Sequence, residues 1–289
     1  MAARIRQRPV VLTVAGSDNS AGAGAQADLK SFSYFGCYGL TAITCVVAEV
    51  PGKVTSIQAI TPKIVAEQMA LNFQAFPVAA LKTGMLYSAA IIEAVADVCQ
   101  QEIAGRRGRR DGRQGALPIV IDPVMVASSG DPLLKKNAVA AYRRRLFPLA
   151  TLVTPNLDEL EILAGREVCS LAKMREAGLA MLEKFGCSFL LKGGHLRGKT
   201  AVDLLVTTAG VEEFSAPFRR GVDTHGTGCT YAAAITANLA LGRSLSEAVA
   251  EAKMYITAAI GGRLRWGNTS ALEHFPAGSL SGAGPTREA

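Results

Sequence analysis

The chain has 289 residues and 49% hydrophobic content, enough for one large α/β domain or two small ones. Its net charge of +7 is carried by Arg4, Arg6 and Arg8 near the start and by Arg106, Arg107, Arg109, Arg110 and Arg113 around Asp111. Neither run is interleaved with aromatic residues, which speaks against a nucleic-acid partner; no apolar stretch reaches membrane-spanning length, and residues 1–9 lack the apolar centre of a secretion signal.

Residues 10–16 form a short apolar run that stops at Gly16 and read as a buried strand. A polar, glycine-containing loop over 17–24 leads into a predicted helix over 25–35, stopped by Gly36. Residues 41–48 are the next strand, and this strand–loop–helix–strand order implies a parallel pair with a right-handed crossover. Pro62 after Thr61 opens a helix to about residue 76. Strand and loop follow over 79–86, then a helix over 88–101. Residues 104–117 are rich in glycine and arginine, cannot bury a face, and read as a mobile, solvated insert.

Residues 118–125 are predicted as a central strand with Asp122 at its carboxyl end, where open α/β sheets bind ligands. A polar loop at 128–131 precedes a helix over 138–147 that Pro148 ends, and 151–154 form another strand. Asn156 and Glu159 have the spacing of a capping box. A helix over 174–185 is followed by a strand and glycine turn over 187–195, in which Lys192 closes an apolar run, a place that suits a lysine facing a cleft. Segments 202–206 and 211–214 flank Ala209 and Gly210 as a hairpin. A helix over 245–260 starts at a Ser244 or Ser246 cap, and the tail beyond Gly278 reads as frayed. With no repeat and no linker, the alternation predicts one α/β domain over 1–289, a mostly parallel sheet covered by helices on both faces.

The most informative stretch is 221–231. Gly226 and Gly228 flank Thr227 ahead of an alanine-rich run that ends at Gly242. A glycine loop feeding a helix N-terminus offers free N–H groups and a partial positive charge, a site for an anion and above all a phosphate. A tight turn before a buried helix is the plain alternative, but His225, Thr227, Cys229 and Thr230 crowd the same turn. No Gly-Lys-Ser/Thr follows, so the loop is not a Walker sequence, and its place late in the chain is not that of a Rossmann fingerprint.

The segment 223–230 resembles the anion-hole signature of the ribokinase superfamily, and its cysteine form is similar to the hydroxymethylpyrimidine/phosphomethylpyrimidine kinases, with pyridoxal kinases as near relatives. The resemblance covers about residues 10–262. It implies a ribokinase-like fold and ATP- and Mg2+-dependent phosphorylation of 4-amino-5-hydroxymethyl-2-methylpyrimidine and then of its monophosphate, giving the diphosphate used for thiamine. Pyridoxal kinase activity on the same scaffold is one alternative, and a non-catalytic ligand sensor another. The resemblance also implies a homodimer. Six scattered cysteines without a CxxC pair argue against a zinc knuckle or disulfide scaffold and for a reducing cytoplasm.

Residue roles follow from the resemblance. Backbone N–H groups of Gly226, Thr227, Gly228 and Cys229 hold the transferring phosphoryl group. Lys192 stands beside the ATP phosphates, and Asn156 and Glu159 organise Mg2+ through water, although their capping box suffices structurally. Gly16, Asp28, Glu49, Met85 and Val124 position the substrate ring. On sequence alone Asp28 also reads as a charge in the first turn of a helix, Met85 as plain core and Glu49 as a solvent-facing strand end. Two departures stand out. The basic insert is longer than the usual connection, and Glu49 occupies a position where most pyrimidine kinases carry glutamine. A glutamine amide accepts and donates, whereas an ionised glutamate only accepts. Cys229 stands where sugar kinases carry an aspartate base; a thiol whose pKa the helix N-terminus lowers would serve as that base, and otherwise Cys229 supplies only its N–H.

Overall fold

The computed structural model describes residues 7–106, 116–125, 136–194, 200–218 and 225–276. The chain opens with β1 (Val10–Asp18), α1 (Gly24–Tyr34), β2 (Tyr38–Val50), β3 (Lys53–Ala59), α2 (Pro62–Ala75), β4 (Val78–Thr83) and α3 (Ala89–Arg106). It continues with β5 (Ile119–Ile121), α4 (Lys136–Ala141), β6 (Leu152–Val153), α5 (Leu157–Ala164), α6 (Leu171–Phe185) and β7 (Ser188–Leu191). The last third is β8 (Thr200–Thr207), β9 (Gly210–Pro217), α7 (Thr227–Ala240), α8 (Leu245–Gly261) and a small hairpin, β10 (Leu264–Trp266) with β11 (Thr269–Ala271).

Strands β1 to β9 form one sheet in the order β3-β2-β1-β4-β5-β6-β7-β8-β9. The pairs from β2 through β7 are parallel, while the edge pairs β2 with β3, β7 with β8 and β8 with β9 are antiparallel. The mostly parallel α/β sheet predicted above is the one observed. Alternation along the inner strands splits the core. Leu12, Val14, Ile119 and Ile121 face α2, α3, α4, α5 and α6, whereas Val11 and Val120 face α1, α7 and α8. From β1 the chain moves to β2 on one side and later to β4 on the other. The loops leaving β1 and β4 therefore part, and a crevice opens at the carboxyl ends of the strands.

Several boundaries differ from the sequence reading, each for a local reason. Strand β2 runs on to Val50 and folds back through Gly52, φ +80, into the unpredicted edge strand β3, whose half-polar sequence hides the pattern. The strand expected over 118–125 keeps only Ile119–Ile121, because Pro118 and Pro123 cannot donate to a ladder. The helix expected over 138–147 becomes a short α-helix, a π turn at Tyr142–Leu146 and a 3-10 turn at Phe147–Leu149 that accommodates Pro148. Helix α3 reaches Arg106, so the start of the expected insert is helical. Arg106 is not solvated: it is buried, with Nε 3.0 Å from Glu102 Oε1 and Nη2 donating to Val78 O at 2.7 Å. The rest of the arginine run, the 128–131 loop, His195 and the tail beyond Gly278 lie outside the described residues.

Candidate active site

The crevice is a cleft of about 420 Å³. Gly16, Glu49, Met85, Val124, Asn156, Glu159, Lys192, Gly226, Thr227, Gly228 and Cys229 all line it. They come from loops spread over most of the chain, and the parallel strand ends bring them together.

At one end lies the N-terminus of α7. Its cap, Gly226, has φ +76, and a Cβ there would sit 1.8 Å from Gly22 O. Only glycine fits, and the loop after β1 interlocks with the loop before α7. Thr230 N returns to Gly226 O at 2.9 Å, while the N–H groups of Thr227, Gly228 and Cys229 meet no acceptor among the described backbone and side-chain groups. Thr227 Oγ1 is buried and also without a described partner. Lys192 enters from the end of β7, where its N–H donates to Pro155 O at 2.9 Å and its backbone bridges to Asn156. Lys192 Nζ lies 3.0 Å from Asp122 Oδ1, and a Cβ on Gly228 would lie 3.1 Å from that Nζ and 3.8 Å from Asp122 Oδ2. Burial works against the Lys192 charge, but Asp122 and Glu159 outweigh it and hold the ammonium protonated. The result is a ring of donors and one cation around an open space at a helix N-terminus.

Asn156 and Glu159 make the capping box of α5. Glu159 N donates to Asn156 Oδ1 and Asn156 N to Glu159 Oε2, both at 2.9 Å, and Met125 N donates to Glu159 Oε1 at 3.1 Å. Burial raises the Glu159 carboxyl above its usual range, with Lys192 opposing. Asp122 Oδ1 also accepts from Thr154 Oγ1 at 3.1 Å, while no described group donates to Oδ2. Asp122, Asn156 and Glu159 line the cleft near Lys192 and bring oxygen atoms there, the donor type that a hard divalent cation takes.

Gly16, Glu49, Met85 and Val124 line another part of the cleft. A Cβ on Gly16 would meet Cys45 Sγ at 2.9 Å and Met85 Sδ at 3.6 Å, so the backbone of β1 approaches two sulfurs closely. Val124 holds φ +26, a conformation that β-branched residues seldom adopt and that concentrates at functional sites. Asp18 is buried and accepts from Ser20 N at 2.7 Å, Ser20 Oγ at 3.0 Å, Ala23 N at 2.8 Å and His225 Nε2 at 3.1 Å. Burial alone would raise its pKa, but these hydrogen bonds, led by His225, hold the carboxyl well below the ordinary range. Ligand atoms of Asp18, Glu49 and His225 lie within 4.8 Å of one another. Burial pushes the Glu49 pKa up, Asp18 adds to the rise and His225 opposes it. Glu49 therefore reaches into the cleft, and the solvent-facing alternative does not describe it.

Two sequence expectations change. Asp28 does not line the cleft. It is fully buried beneath it, with Lys82 Nζ at 2.7 and 2.9 Å from its two oxygens and Thr13 Oγ1 donating at 2.6 Å. Its hydrogen-bonding capacity is spent on a counter-ion that burial would otherwise neutralise, so in this structure it holds Lys82 charged rather than facing a ligand. The second concerns Cys229. Burial pushes its thiol up to about 12, with nearby Lys82 opposing and Asp122 and Asp28 adding to the rise. Desolvation outweighs the helix N-terminus, so the thiol stays protonated near neutral pH and the lowered pKa expected of it is absent.

The sequence reading missed Asp18, Lys82, Asp203 and Lys253, and noted His225 and Asp122 without giving them roles. A charge closing an apolar run marks Lys82 as it marked Lys192, whereas nothing local marks Asp18, Asp203 or Lys253. Ala216, Pro217, Phe218, Ile256 and Ile260 form the apolar wall on that side of the cleft.

A family model described as phosphomethylpyrimidine kinase matches residues 18–273. The chain is 44% identical over 253 residues to the thiamine biosynthesis bifunctional protein ThiED of Geobacter sulfurreducens, with 88% of this chain aligned to 49% of that protein, so it spans about half that relative's length. It is 42% identical to the hydroxymethylpyrimidine/phosphomethylpyrimidine kinase of Rhizobium meliloti, covering 87% of this chain and 90% of the relative. Among solved structures it is similar to an ADP complex of Bacillus subtilis pyridoxal kinase, with TM-score 0.81, 34% identity, and 93% of this chain and 98% of that chain covered.

Proposed function

The chain belongs to the phosphomethylpyrimidine kinase family, and we propose that it phosphorylates a hydroxymethylpyrimidine and then its monophosphate with ATP, for thiamine synthesis. The observation that carries this reading is the convergence of Lys192 Nζ and Asp122 on the open N-terminus of α7, 3.1 and 3.8 Å from where a Gly228 Cβ would stand. Phosphoryl transfer asks mainly for alignment and neutralisation of charge on the equatorial oxygens. N–H groups of Thr227, Gly228 and Cys229 supply fixed donors there, and Lys192 supplies a charge that Asp122 and Glu159 maintain against burial.

Mg2+ fits the oxygen set beside Lys192. Asp122 Oδ2 has no described donor and is free to face a cation, whereas each Glu159 oxygen already accepts a backbone N–H, so Glu159 and Asn156 would act through water. When bound, the ion would neutralise charge shared between the phosphates. The nucleotide base would lie against the apolar wall of Pro217, Phe218 and Ile256, which leaves the substrate ring the pocket of Gly16, Met85 and Val124. There Glu49 is the acceptor for an amino substituent, since Asp18 already accepts four hydrogen bonds, three of them at Oδ2.

Pyridoxal is the second reading, favoured by the likeness to the Bacillus subtilis pyridoxal kinase. One experiment decides: incubate the protein with ATP, Mg2+ and either alcohol, and read product masses. The pyrimidine should gain one and then a second phosphoryl group. Exclusive turnover of pyridoxal overturns the first reading, and no turnover of either leaves a ligand-binding sensor. No described helix is long and apolar enough to cross a membrane. A cytoplasmic homodimer completes the proposal, and sedimentation tests its oligomeric part.

A further inference from the structure

The turn that presents Lys192 is held from behind by a buried ion pair. Asp203, on β8, is 3% exposed. Its Oδ1 accepts from Gly193 N at 3.0 Å, the peptide immediately after Lys192, and its Oδ2 lies 2.6 Å from Lys253 Nζ on α8. Lys253 Nζ also reaches Ala201 O at 3.4 Å and stands 6.0 Å from the Tyr231 ring centroid, so strand β8 and helices α7 and α8 meet at this pair. Space is as tight as the bonding. A Cβ on Gly193 would lie 2.0 Å from Val202 O, so the turn rests directly on β8. On its other flank Lys192 N is bonded to Pro155 O at 2.9 Å. The lysine backbone is therefore pinned between β6 and β8, and Asp203 is the β8 pin.

We propose that Asp203 and Lys253 are positioning residues that fix the Lys192–Gly194 turn for the nucleotide phosphates, Asp203 through the Gly193 N–H and Lys253 by holding Asp203 in place. The inference rests on the phosphotransfer reading. A buried carboxylate that grips one backbone N–H with one oxygen needs a cation on the other, since an unpaired buried charge is strongly unfavourable and would rotate towards water. Lys253 is that cation, and its stem packs in the wall of the same cleft. The pair thus couples α8, through β8, to the placement of Lys192.

The test uses the full chain and four variants, with KM for ATP, KM for the alcohol, kcat, ADP affinity by calorimetry and Tm measured for each. Asp203→Ala removes the grip on Gly193 and should weaken ADP and raise the ATP KM about tenfold, the worth of one buried hydrogen bond and its alignment, with the alcohol KM within about twofold. Asp203→Asn keeps an acceptor for Gly193, so ADP affinity and the ATP KM should stay within about threefold of wild type, while Tm falls because Lys253 loses its counter-ion. Lys253→Met strands the carboxylate and should resemble Asp203→Ala, while Asp203→Asn combined with Lys253→Met removes both charges and should recover most of the loss. Unchanged ADP affinity in Asp203→Ala, or alcohol and ATP constants that move together with Tm, overturns the proposal. So does a change in the preference for ATP over 2′-deoxy-ATP in Asp203→Asn, which would make Asp203 a ligand contact. If wild type itself transfers no phosphoryl group, the proposed function fails instead, and ADP calorimetry still reports on the clamp.

Discussion

Replacing Gly226 and Gly228 by alanine, one at a time, should separate stability from activity: the first change lowers both, the second lowers nucleotide affinity alone. Gly226 has φ +76, a left-handed conformation that costs an L-residue about 1–2 kcal/mol. Its new methyl would stand 1.8 Å from Gly22 O, where real Cβ contacts stay beyond 3.0 Å. The neighbour is backbone, so the two interlocked loops have to part by about an ångström, a displacement that costs about 100-fold in turnover when it misaligns a reacting group. Gly226→Ala is thus expected to lower kcat/KM for ATP about 100-fold and Tm by about 5 °C. Gly228 lies inside α7 without a positive φ, and its methyl would meet the flexible end of Lys192 at 3.1 Å. Alanine in a helix is better than glycine by about 0.5–1 kcal/mol, so Gly228→Ala should keep or slightly raise Tm. The methyl fills the space the phosphate oxygens need, and nucleotide affinity should still fall about tenfold or more. Thermal scans, calorimetric titration of ADP and steady-state kinetics on both variants make the comparison. Wild-type ADP affinity in Gly228→Ala, or Gly226→Ala turning over normally at unchanged Tm, would refute the placement of the phosphates on this loop.

Glu49→Gln should flatten the pH dependence of the pyrimidine KM, since burial and Asp18 raise the Glu49 pKa above its ordinary value; an unchanged profile and affinity would mean that Glu49 does not touch the ring. The ratio of Cys229→Ala to wild-type turnover should stay constant from about pH 6 to 9, since the thiol titrates only near 12; a ratio that falls through the usual thiol range would restore Cys229 as an ionising base. His274, 3.1 Å from Thr230 Oγ1, has its pKa lowered from 6.5 to about 4, chiefly by burial. The unfolded chain then binds this proton first, so stability is full above about pH 6.5 and falls towards pH 4, by on the order of 3 kcal/mol. Urea midpoints across that range should show the slope in wild type and lose most of it in His274→Gln; an equal slope in both would assign it elsewhere.

Much of the fold is legible in local sequence. Buried parallel strands such as 10–16 are continuous apolar runs bounded by glycine, and helices such as α5 and α8 announce themselves through capping boxes, Asn156 with Glu159 and Ser244 with Glu247. The phosphate loop is legible for a related reason: two backbones packed so closely that a Cβ on Gly226 would stand 1.8 Å from Gly22 O require glycine, and glycine in sequence is visible. Edge strand β3 and the π turn at Tyr142–Leu146 were not readable, since a half-polar edge has no clear period and a π turn answers to its neighbours rather than to its own residues. What tertiary structure alone decided is how far each charge sits from water and from other charges. Asp28 and Glu49 look alike in sequence, a carboxylate in or beside an apolar element. Yet packing pairs Asp28 with Lys82 under the floor and leaves Glu49 on the wall beside Asp18 and His225. Cys229 sits at a helix N-terminus, which favours a thiolate, but burial, with Asp122 and Asp28 adding to it and Lys82 opposing, sets its proton affinity in the opposite sense. Desolvation and long-range pairing depend on residues far apart along the chain, so no local pattern encodes them, and the titration behaviour of the site appears only once the sheet has brought its strand ends together.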